Sequence, residues 1–338
     1  MTPPHGLVEA NEYPAEVLRL TGRRADEQAS GSGSNPSPDT WSEEVRTGRF
    51  PGWLWIGPKD DPISVVRWES VGRERRKVQV YLDPSWRRVE TLRALLRELT
   101  SLEGPPVAIV QLPGWTIPSS DLATVLEPEG YRHLRRFDMI YPLDRVLPAA
   151  PERAGIRPLA AGDVGAIGDL LADAYSDFPL DPTYFSPGVP IADECRTAAH
   201  ELFGGKYGRW WASASVGVFA EGRWVAAVLV TDLNGPLLAE IVVAPSHRRR
   251  GLGRAVVRAA LAALRSEGAP TPRLVVTAPN RRARALYESL GFTYVPLPED
   301  NTWIDLARSG RSDLVDLLPS ELGSTAGADP PDHGVPST

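Results

Sequence analysis

Cysteine is almost absent from this sequence, and that absence already narrows the class of protein. The 338 residues include one cysteine, Cys195, so the chain has no intramolecular disulfide. Such a chain suits a reducing compartment, and we expect it in the cytoplasm. Cys195 is either a catalytic nucleophile or a structural or surface thiol. No neighbour in the sequence activates it, which favours the second interpretation.

Metal sites, membrane spans and a basic surface are also missing. The five histidines are scattered without ligand spacing, so no metal is expected. There is no run of about 18 apolar residues and no secretory signal at the N-terminus, so neither a membrane partner nor export is expected. The formal net charge of -6 argues against a nucleic-acid partner, because phosphates require a dominant basic face.

The chain is long enough for two globular domains, and its composition indicates where they lie. A polar segment rich in Gly, Ser and Pro precedes Trp41, where we expect ordered structure to begin. The predicted divisions are a flexible segment at 1–40, a first domain at 41–147, a Pro-containing linker at 148–154, a second domain at 155–308 and a mostly disordered tail at 309–338.

Strands and helices alternate in the second domain, which predicts an α/β fold (α+β, with a mixed sheet). Two strands meet at Glu221-Gly222, and a third ends at Pro245. Apolar residues recur at helical spacing from Gly251 to Arg265, and another strand follows this helix. A last helix is expected to end at Gly291.

The first domain repeats the pattern of the second at a constant offset. Aligning Pro84-Ser85 with Pro245-Ser246 gives an offset of 161 (245 minus 84), and aligning Gly130-Tyr131 with Gly291-Phe292 gives 161 again (291 minus 130). Strand, helix, strand and helix follow in the same order between the two anchors. A shared offset together with a shared order predicts a duplicated domain.

The stretch Val242–Leu264 holds the first chemical motif. A strand leads through Arg248-Arg-Arg-Gly251-Leu-Gly253 into a helix. Unpaired N–H groups and partial positive charge at a helix start favour anions, glycines allow a close approach, and arginines donate to phosphate oxygens. The motif fits a pyrophosphate-binding turn, and its simpler alternative is a solvated arginine-rich turn before a core helix.

A second motif follows the next strand and favours the first of these interpretations. Asn280 opens a helix that carries Leu286-Tyr287 and ends at Gly291-Phe292. Together with the Val-Ala-Pro strand end and the Arg-x-x-Gly-x-Gly turn, this pattern resembles the GNAT superfamily of acyl-CoA-dependent N-acetyltransferases. The resemblance covers the second domain. With the repeat, it implies two tandem GNAT-like domains, the second intact, in a layout similar to that of mycothiol synthases.

The resemblance also implies acetyl-CoA as the acyl-donor cosubstrate and gives roles to particular residues. Strand backbone would bind the pantetheine arm, turn amides would bind the pyrophosphate, and Tyr287 would give a proton to the departing thiolate. The alternative for Tyr287 is a core aromatic residue with a satisfied hydroxyl. The implied cofactor-binding residues are Ile241, Val242, Val243, Arg248, Arg249, Arg250, Gly251, Leu252, Gly253, Arg254 and Asn280.

The acceptor amine needs a base, because an alkylammonium group with a pKa of about 10.4 is protonated at pH 7. Glu240 is the candidate, since it lies on the strand of the cofactor-binding residues and some family members place a glutamate there. Alternation puts Glu240 and Val242 on one face of this strand, and Ile241 on the other. Asp232 and a chain of water molecules remain as alternatives.

The first domain lacks the residues of both motifs. At the offset of 161, Gly251 aligns with Glu90 (251 minus 90), and Tyr287 aligns with Leu126 (287 minus 126). A carboxylate at the phosphate position repels phosphate, and leucine cannot donate a proton. We therefore expect a degenerate first domain that keeps the fold and has lost the cofactor site.

These observations predict an N-acetyltransferase that transfers the acetyl group of acetyl-CoA to a primary amine by direct attack. The acceptor is a small molecule or a protein. The alternative is a non-catalytic acyl-CoA-binding or partner-binding scaffold, which the degenerate domain leaves open. An irregular stretch ending in Trp210 and Trp211 is acidic and aromatic, so it suits either a cationic acceptor or packing into the core. The sequence predicts neither the acceptor nor the oligomeric state.

Overall fold

The structure is a computed structural model of the chain. It describes residues 6–13, 15, 17, 47, 51–56, 62–71, 75–112, 117–143, 155–176, 190–295, 302–308, 318, 320 and 322. The predicted linker at 148–154 lies outside the described residues. So do most of the segment at 1–40 and most of the tail at 309–338.

The elements follow the alternating order that the sequence predicts. In the first half the strands are β1 (Gly6–Glu9), β2 (Gly52–Ile56), β3 (Pro62–Val71), β4 (Arg75–Leu82), β5 (Val107–Gln111), β6 (Tyr131–Leu134) and β7 (Arg136–Ile140). In the second half they are β8 (Ile156–Pro158), β9 (Arg209–Trp210), β10 (Val216–Ala220), β11 (Arg223–Asp232), β12 (Pro236–Val243), β13 (Arg273–Thr277), β14 (Thr293–Tyr294) and β15 (Thr302–Asp305). The helices are α1 (Val89–Ser101), α2 (Ser119–Leu126), α3 (Val164–Tyr175), α4 (Ile191–Phe203), α5 (Leu252–Ser266) and α6 (Arg281–Leu290).

Local sequence signals set several element ends. Glu221 and Gly222 join β10 to β11 with φ angles of 54° and 74°, as a two-residue hairpin turn requires. Gly291 ends α6 in the left-handed conformation, with φ at 100°. The predicted hairpin and the predicted helix stop are both confirmed. None of the described helices is long and apolar enough to cross a bilayer.

The described strands form two mixed sheets, which confirms the predicted fold class. The first sheet has the order β1-β2-β3-β4-β5-β15-β6, and the second has the order β14-β7-β13-β12-β11-β10-β8, with β9 paired to β11. The pairs β4/β5 and β12/β13 are parallel. The helices α3 and α5 pack against the second sheet and enclose its apolar core.

The repeat that the offset predicts is confirmed element by element. The strands β3 and β11 begin 161 residues apart (223 minus 62), and β4 and β12 begin 161 apart as well (236 minus 75). In both halves a short 3-10 turn follows, at Pro84–Trp86 and at Pro245–His247. A long helix comes next, α1 or α5.

The two halves exchange one strand each. From the first half, β7 lies between β13 and β14 in the second sheet. From the second half, β15 lies between β5 and β6 in the first sheet. The predicted domains at 41–147 and 155–308 therefore each complete the sheet of the other. Alternation of apolar and polar residues fixes which face of a strand is buried, and it does not specify which of two similar sheets the strand joins. The exact boundaries stay predictions.

The expectation that order begins near Trp41 is wrong. The strand β1 pairs antiparallel with β2, and Leu7 lies opposite Trp55. An added edge strand is held by main-chain hydrogen bonds, so a short segment such as Gly-Leu-Val-Glu joins a sheet without a long sequence signature. In the tail, Leu318 is buried against Ile304 and Leu306, and Ser320 donates a hydrogen bond to Glu127 Oε2.

Candidate active site

A β-bulge and a strand divergence lie together in the second sheet. The register between β11 and β12 shifts so that Leu229 faces Glu240 and Val230 faces Leu238, which leaves Ala239 without an opposite residue. On its other side, β12 pairs with the described β13 only at Leu237. Residues 241–243 therefore present one unpaired backbone edge, where a ligand can add as an extended strand.

The turn after β12 has the geometry of an anion site. Arg249 and Gly251 are both left-handed, with φ at 64° and 75°, so this turn bends sharply before α5 begins at Leu252. Among the described residues, the N–H groups of residues 249–254 have no backbone acceptor. Free N–H groups at a helix start form a ready site for a phosphate. This fits a pyrophosphate better than it fits an ordinary turn.

The four arginines of this turn have different environments. The side chains of Arg249 and Arg250 are exposed, and neither has a partner within the described part of the chain. Arg254 donates to the Ser289 hydroxyl at 2.7 Å, which ties α5 to α6. Arg248 donates from Nε to the Val243 carbonyl at 3.2 Å and from Nη2 to the Ala174 carbonyl at 2.7 Å. Arg249 and Arg250 are therefore the side chains available to an anion.

The first half explains the contact of Arg248. Arg87 lies at the equivalent position (248 minus 161) and donates from Nε to the Leu82 carbonyl at 3.1 Å. The same bond therefore joins the strand end to the following turn in both halves. Because the first half lacks the glycines and the left-handed turn, this bond belongs to the fold. The predicted contact of Arg248 with a cofactor stays a prediction.

Three other predicted cofactor residues have structural contacts. A Cβ atom on Gly253 would lie 3.3 Å from Leu286 and 3.5 Å from Val243, so glycine here permits close packing of α5. The Leu252 side chain is buried, and only its backbone faces the turn. Asn280 caps α6, since its Oδ1 accepts from the Ala283 N–H at 3.1 Å. Its amide group remains for a ligand contact.

The two predicted catalytic side chains come close to each other. The negative charge of Glu240 acts on the Tyr287 hydroxyl and raises its pKa, and it acts on the Cys195 thiol in the same way. Tyr175, at the end of α3, donates a hydrogen bond to Glu240 Oε2 at 2.7 Å. Glu240 thus lies at the centre of a partly buried group of ionisable side chains. Sequence reasoning missed Tyr175, because nothing in its local pattern connects it to β12.

Burial decides the protonation state of two of these groups. Burial first, and then the charge of Glu240, raise the pKa of Tyr287 well above its ordinary value. The phenol is therefore a proton donor at neutral pH. The same two causes, followed by the charge of Glu194, raise the pKa of Cys195 to about 12. Cys195 is a protonated, buried thiol, and the interpretation as a structural residue is confirmed.

The alternative base, Asp232, lies at the end of β11, beside the turn that leads into β12. Its carboxylate accepts from Arg209 Nη2 at 3.2 Å and from the Gly235 N–H at 3.2 Å. It faces Pro236, where β11 turns into β12. The structure groups Glu240 with Tyr287 and gives Asp232 a role in the turn.

Within the described residues, the first half lacks the bulge seen between β11 and β12, and its parallel strand pair is longer than the single paired position of β12 and β13. The strands β3 and β4 pair without a register shift, and β4 pairs with β5 from Arg76 to Gln79. Gln79 takes the position of Glu240 (240 minus 161), and its Nε2 donates to Gln111 Oε1 at 2.9 Å. Gln111 in turn donates to the Thr302 hydroxyl at 3.2 Å. A neutral hydrogen-bonded amide thus occupies the place of the candidate base.

The turn before α1 in the first half also differs in backbone conformation from the turn before α5. Arg88, equivalent to Arg249, is extended with φ at -138°, and α1 begins at the next residue. Glu90 lies in the first turn of α1, and Leu126 is fully buried. No left-handed turn therefore exposes N–H groups at this position.

The aromatic stretch is engaged with protein groups where the structure describes it. The indole N–H of Trp210 donates to Ser215 at 2.9 Å, and that of Trp211 donates to Glu267 at 2.8 Å. These bonds favour packing for both tryptophans. Residues 177–189, the rest of the acidic stretch, lie outside the described residues. The described residues contain no group of side chains that fits a metal ion.

Comparison with known proteins places this geometry in a family. Residues 180–292 match the family model of the Acetyltransferase (GNAT) family. The fold is similar to a GCN5-related N-acetyltransferase from Sphaerobacter thermophilus, with a TM-score of 0.58 and 18% identity over 86% of this chain and 91% of that one. It is also similar to a tandem GNAT protein from the clavulanic acid biosynthesis pathway, with a TM-score of 0.57 and 19% identity over 88% and 96% of the two chains.

Curated relatives match over shorter segments. A mycothiol acetyltransferase of Mycolicibacterium gilvum is 47% identical over 64 residues, which are 19% of this chain and 20% of that protein. A ribosomal protein bS18-alanine N-acetyltransferase of Escherichia coli is 43% identical over 70 residues, which are 20% of this chain and 47% of that protein. The matched segments thus span less than half of either relative. Residues 180–292 thus resemble the GNAT acetyltransferase family, and the chain has a fold similar to that of a tandem GNAT protein.

Proposed function

We propose that the second half transfers the acetyl group of acetyl-CoA to a primary amine, with Glu240 as the base and Tyr287 as the acid. The observation that carries this proposal is that Glu240 lies on β12, the strand that leads into the free N–H groups of residues 249–254, while the buried hydroxyl of Tyr287 on α6 lies within reach of its charge. Acyl transfer from acetyl-CoA requires an acid, a base and an anion-binding turn. The second half brings candidates for all three together.

The described residues fit acetyl-CoA. The unpaired edge of residues 241–243 suits the amide groups of the pantetheine arm, and the N–H groups of residues 249–254 suit its pyrophosphate. Arg249 and Arg250 supply charge at the surface, and the free amide of Asn280 can donate to the arm. Bound here, acetyl-CoA supplies an activated acyl group with a thiolate leaving group.

Proton transfers balance the reaction. The amine nitrogen forms a bond to the carbonyl carbon, and the bond from that carbon to sulfur breaks. The ammonium ion of the acceptor loses one proton to Glu240 before it attacks, a deprotonation that costs about 4.6 kcal/mol at pH 7 for a pKa of about 10.4. After the C–N bond has formed, the nitrogen loses its second proton to the solvent. Tyr287 donates a proton to the departing sulfur.

The charge of Glu240 couples these transfers, as the second cause after burial of the raised pKa of Tyr287. The Glu240 charge raises the pKa of Tyr287 in the free protein, so the phenol holds its proton before reaction. When Glu240 takes a proton from the amine, that charge disappears and Tyr287 becomes a stronger acid. The phenol then donates at the moment when the sulfur leaves.

The relatives support an amine acceptor of either a small molecule or a protein. One similar protein is by name an alanine N-acetyltransferase of a ribosomal protein, and the other is a mycothiol acetyltransferase. Glu240 and the nearby Glu194 favour a cationic acceptor over an anionic one.

Replacing Tyr287 by phenylalanine tests the acid. The Tyr287→Phe variant is expected to lower kcat by about 100-fold or more, because it removes a positioned proton donor and keeps the ring. Acetyl-CoA binding stays within threefold of the wild type. The assay follows thiol release with peptides bearing free N-termini, polyamines and amino sugars as acceptors. The control is Tyr294→Phe, whose hydroxyl bonds Glu288 and Arg284 at the surface. Equal kcat for Tyr287→Phe and wild type disproves the acid role, and no turnover with any amine favours the scaffold.

A further inference from the structure

Tyr175 lies outside both sequence motifs and contacts the candidate base. It is the last residue of α3, and its ring is partly buried against the apolar core of the second half. Its hydroxyl donates to Glu240 Oε2 at 2.7 Å, a normal length for a strong O–H···O⁻ bond. This bond spans 65 residues of sequence. A tertiary contact, set by the packing of α3 on β12, therefore defines the environment of the carboxylate.

A second contact fixes Tyr175 relative to β12. Arg248 donates to the carbonyl of Ala174 at 2.7 Å and to the carbonyl of Val243 at 3.2 Å. Its guanidinium thus bridges the end of α3 and the end of β12. Cationic donors stabilise the free carbonyl groups at a helix C-terminus. The helix end that carries Tyr175 is held on the strand that carries Glu240.

Glu240 lies in a partly buried group of ionisable side chains. Burial and negative charge raise the pKa of the neighbouring Cys195 on α4 and of Tyr287 on α6, and Glu194 adds a further negative charge. In general, burial disfavours the ionised form of a carboxylate, whereas a hydrogen bond donated to the ionised form favours that form. Tyr175 donates a hydrogen bond to the Glu240 carboxylate at 2.7 Å, and Arg248 bonds the carbonyl groups of Ala174 and Val243 beside it.

We propose that Tyr175 is a positioning residue that holds the Glu240 carboxylate ionised and oriented along β12. The proposal rests on the proposed role of Glu240 as the base. Tyr175 itself transfers no proton, and its effect on acetyl transfer passes through Glu240. The hydroxyl fixes one carboxylate oxygen, so the rotamer of Glu240 is set before the acceptor binds.

Titration of Glu240 in the Tyr175→Phe variant tests the proposal. The protein is labelled with ¹³C at the glutamate side-chain carboxyl, and the Glu240→Gln variant assigns the resonance. Losing one hydrogen bond to a charged group is expected to raise the pKa of Glu240 by about one unit. The control is Tyr207→Phe, which removes a comparable bond, from Tyr207 to Glu201 Oε2 at 3.2 Å. That variant leaves the Glu240 titration unchanged.

Kinetics provide the second measurement. In Tyr175→Phe the acid limb of the kcat/KM profile shifts to higher pH by about one unit, while acetyl-CoA affinity stays within twofold. If Glu240 titrates at the same pH in both proteins, the proposal is wrong. If its titration shifts but the wild type acetylates no amine, the positioning role stands and the proposed function fails. Tyr175→Met, which fills the space flexibly, replaces the phenylalanine variant if that one does not fold.

Discussion

Replacing Glu240 by glutamine is expected to lower kcat/KM by about 10²–10⁴-fold at pH 7, because the amide cannot accept a proton from the amine. Glutamine keeps the size of the side chain and an oxygen that can accept from Tyr175. The first half already carries this exchange, since Gln79 stands at the equivalent position and forms an ordinary amide hydrogen bond. The variant is therefore expected to fold normally and to bind acetyl-CoA.

The pH dependence makes this prediction specific. The wild type gains from the base because an amine of pKa about 10.4 is about 3.4 units from deprotonation at pH 7 and about 1.4 units at pH 9. The deficit of Glu240→Gln therefore narrows as the pH rises. Glu201→Gln, at a carboxylate paired with Lys206, is the control and leaves kcat/KM within twofold. A deficit below tenfold at pH 7, or one that does not change with pH, contradicts the role of Glu240.

Removing residues 1–147 is expected to abolish the folded state of the second half. The strand β7 pairs with β13 from Arg136 to Ile140 and with β14 at Met139 and Ile140. Without it, the backbone edge of β13 is open and Met139, which is fully buried, leaves the core. An ordinary domain has a free energy of unfolding of about 5–15 kcal/mol. We expect the hydrogen bonds and apolar burial lost with one central strand to exceed that free energy.

A fragment that begins at Tyr131 is the matched comparison. It keeps β6, the partner of β15, and β7, the partner of β13. Dispersion of amide signals in the ¹H–¹⁵N spectrum is expected to be poor for residues 148–338 and better for residues 131–338. A cooperatively unfolding 148–338 fragment that binds acetyl-CoA contradicts this prediction, and it shows that the exchanged strand is dispensable.

The strand exchange gives a physical reason for keeping a degenerate half. The second half needs β7 to complete its sheet, and the first half receives β15 in return. Thr302 of β15 accepts a hydrogen bond from Gln111, and Gln111 accepts one from Gln79. A strand of the second half therefore takes part in the side-chain network of the first half that includes Gln79. Each half is a structural part of the other, whichever half holds a cofactor.

The sequence predicted what depends on local signals. The 161-residue offset predicted matching strands and turns, and Gly291 predicted the end of α6. Glu240 and Tyr287, on separate elements, stay predictions as base and acid, and the charge of Glu240 reaches the Tyr287 hydroxyl. These features depend on residue type and spacing along one segment, which a single sequence displays.

Other features depend on contacts between distant segments. The bulge at Ala239 depends on the register against β11, and nothing in Leu-Leu-Ala-Glu specifies it. The exchange of β7 and β15 depends on a choice between two similar sheets. Tyr175 contacts Glu240 because α3 packs beside β12, where Arg248 bonds the end of the helix. The offset of 161 also aligns Gln79 with Glu240, so the sequence itself carries a signal that the first half lacks the candidate base.

Calorimetric titration of acetyl-CoA into the full chain tests the central claim, that only the second half has kept the acyl-donor site. One site per chain with micromolar affinity is expected, because the first half has an extended residue, Arg88, before α1 and carries Glu90 where the second half has Gly251. Charge reversal at two exposed arginines, Arg249→Glu with Arg250→Glu, is expected to weaken binding at least tenfold. Two sites per chain, or unchanged affinity in the double variant, contradicts the account.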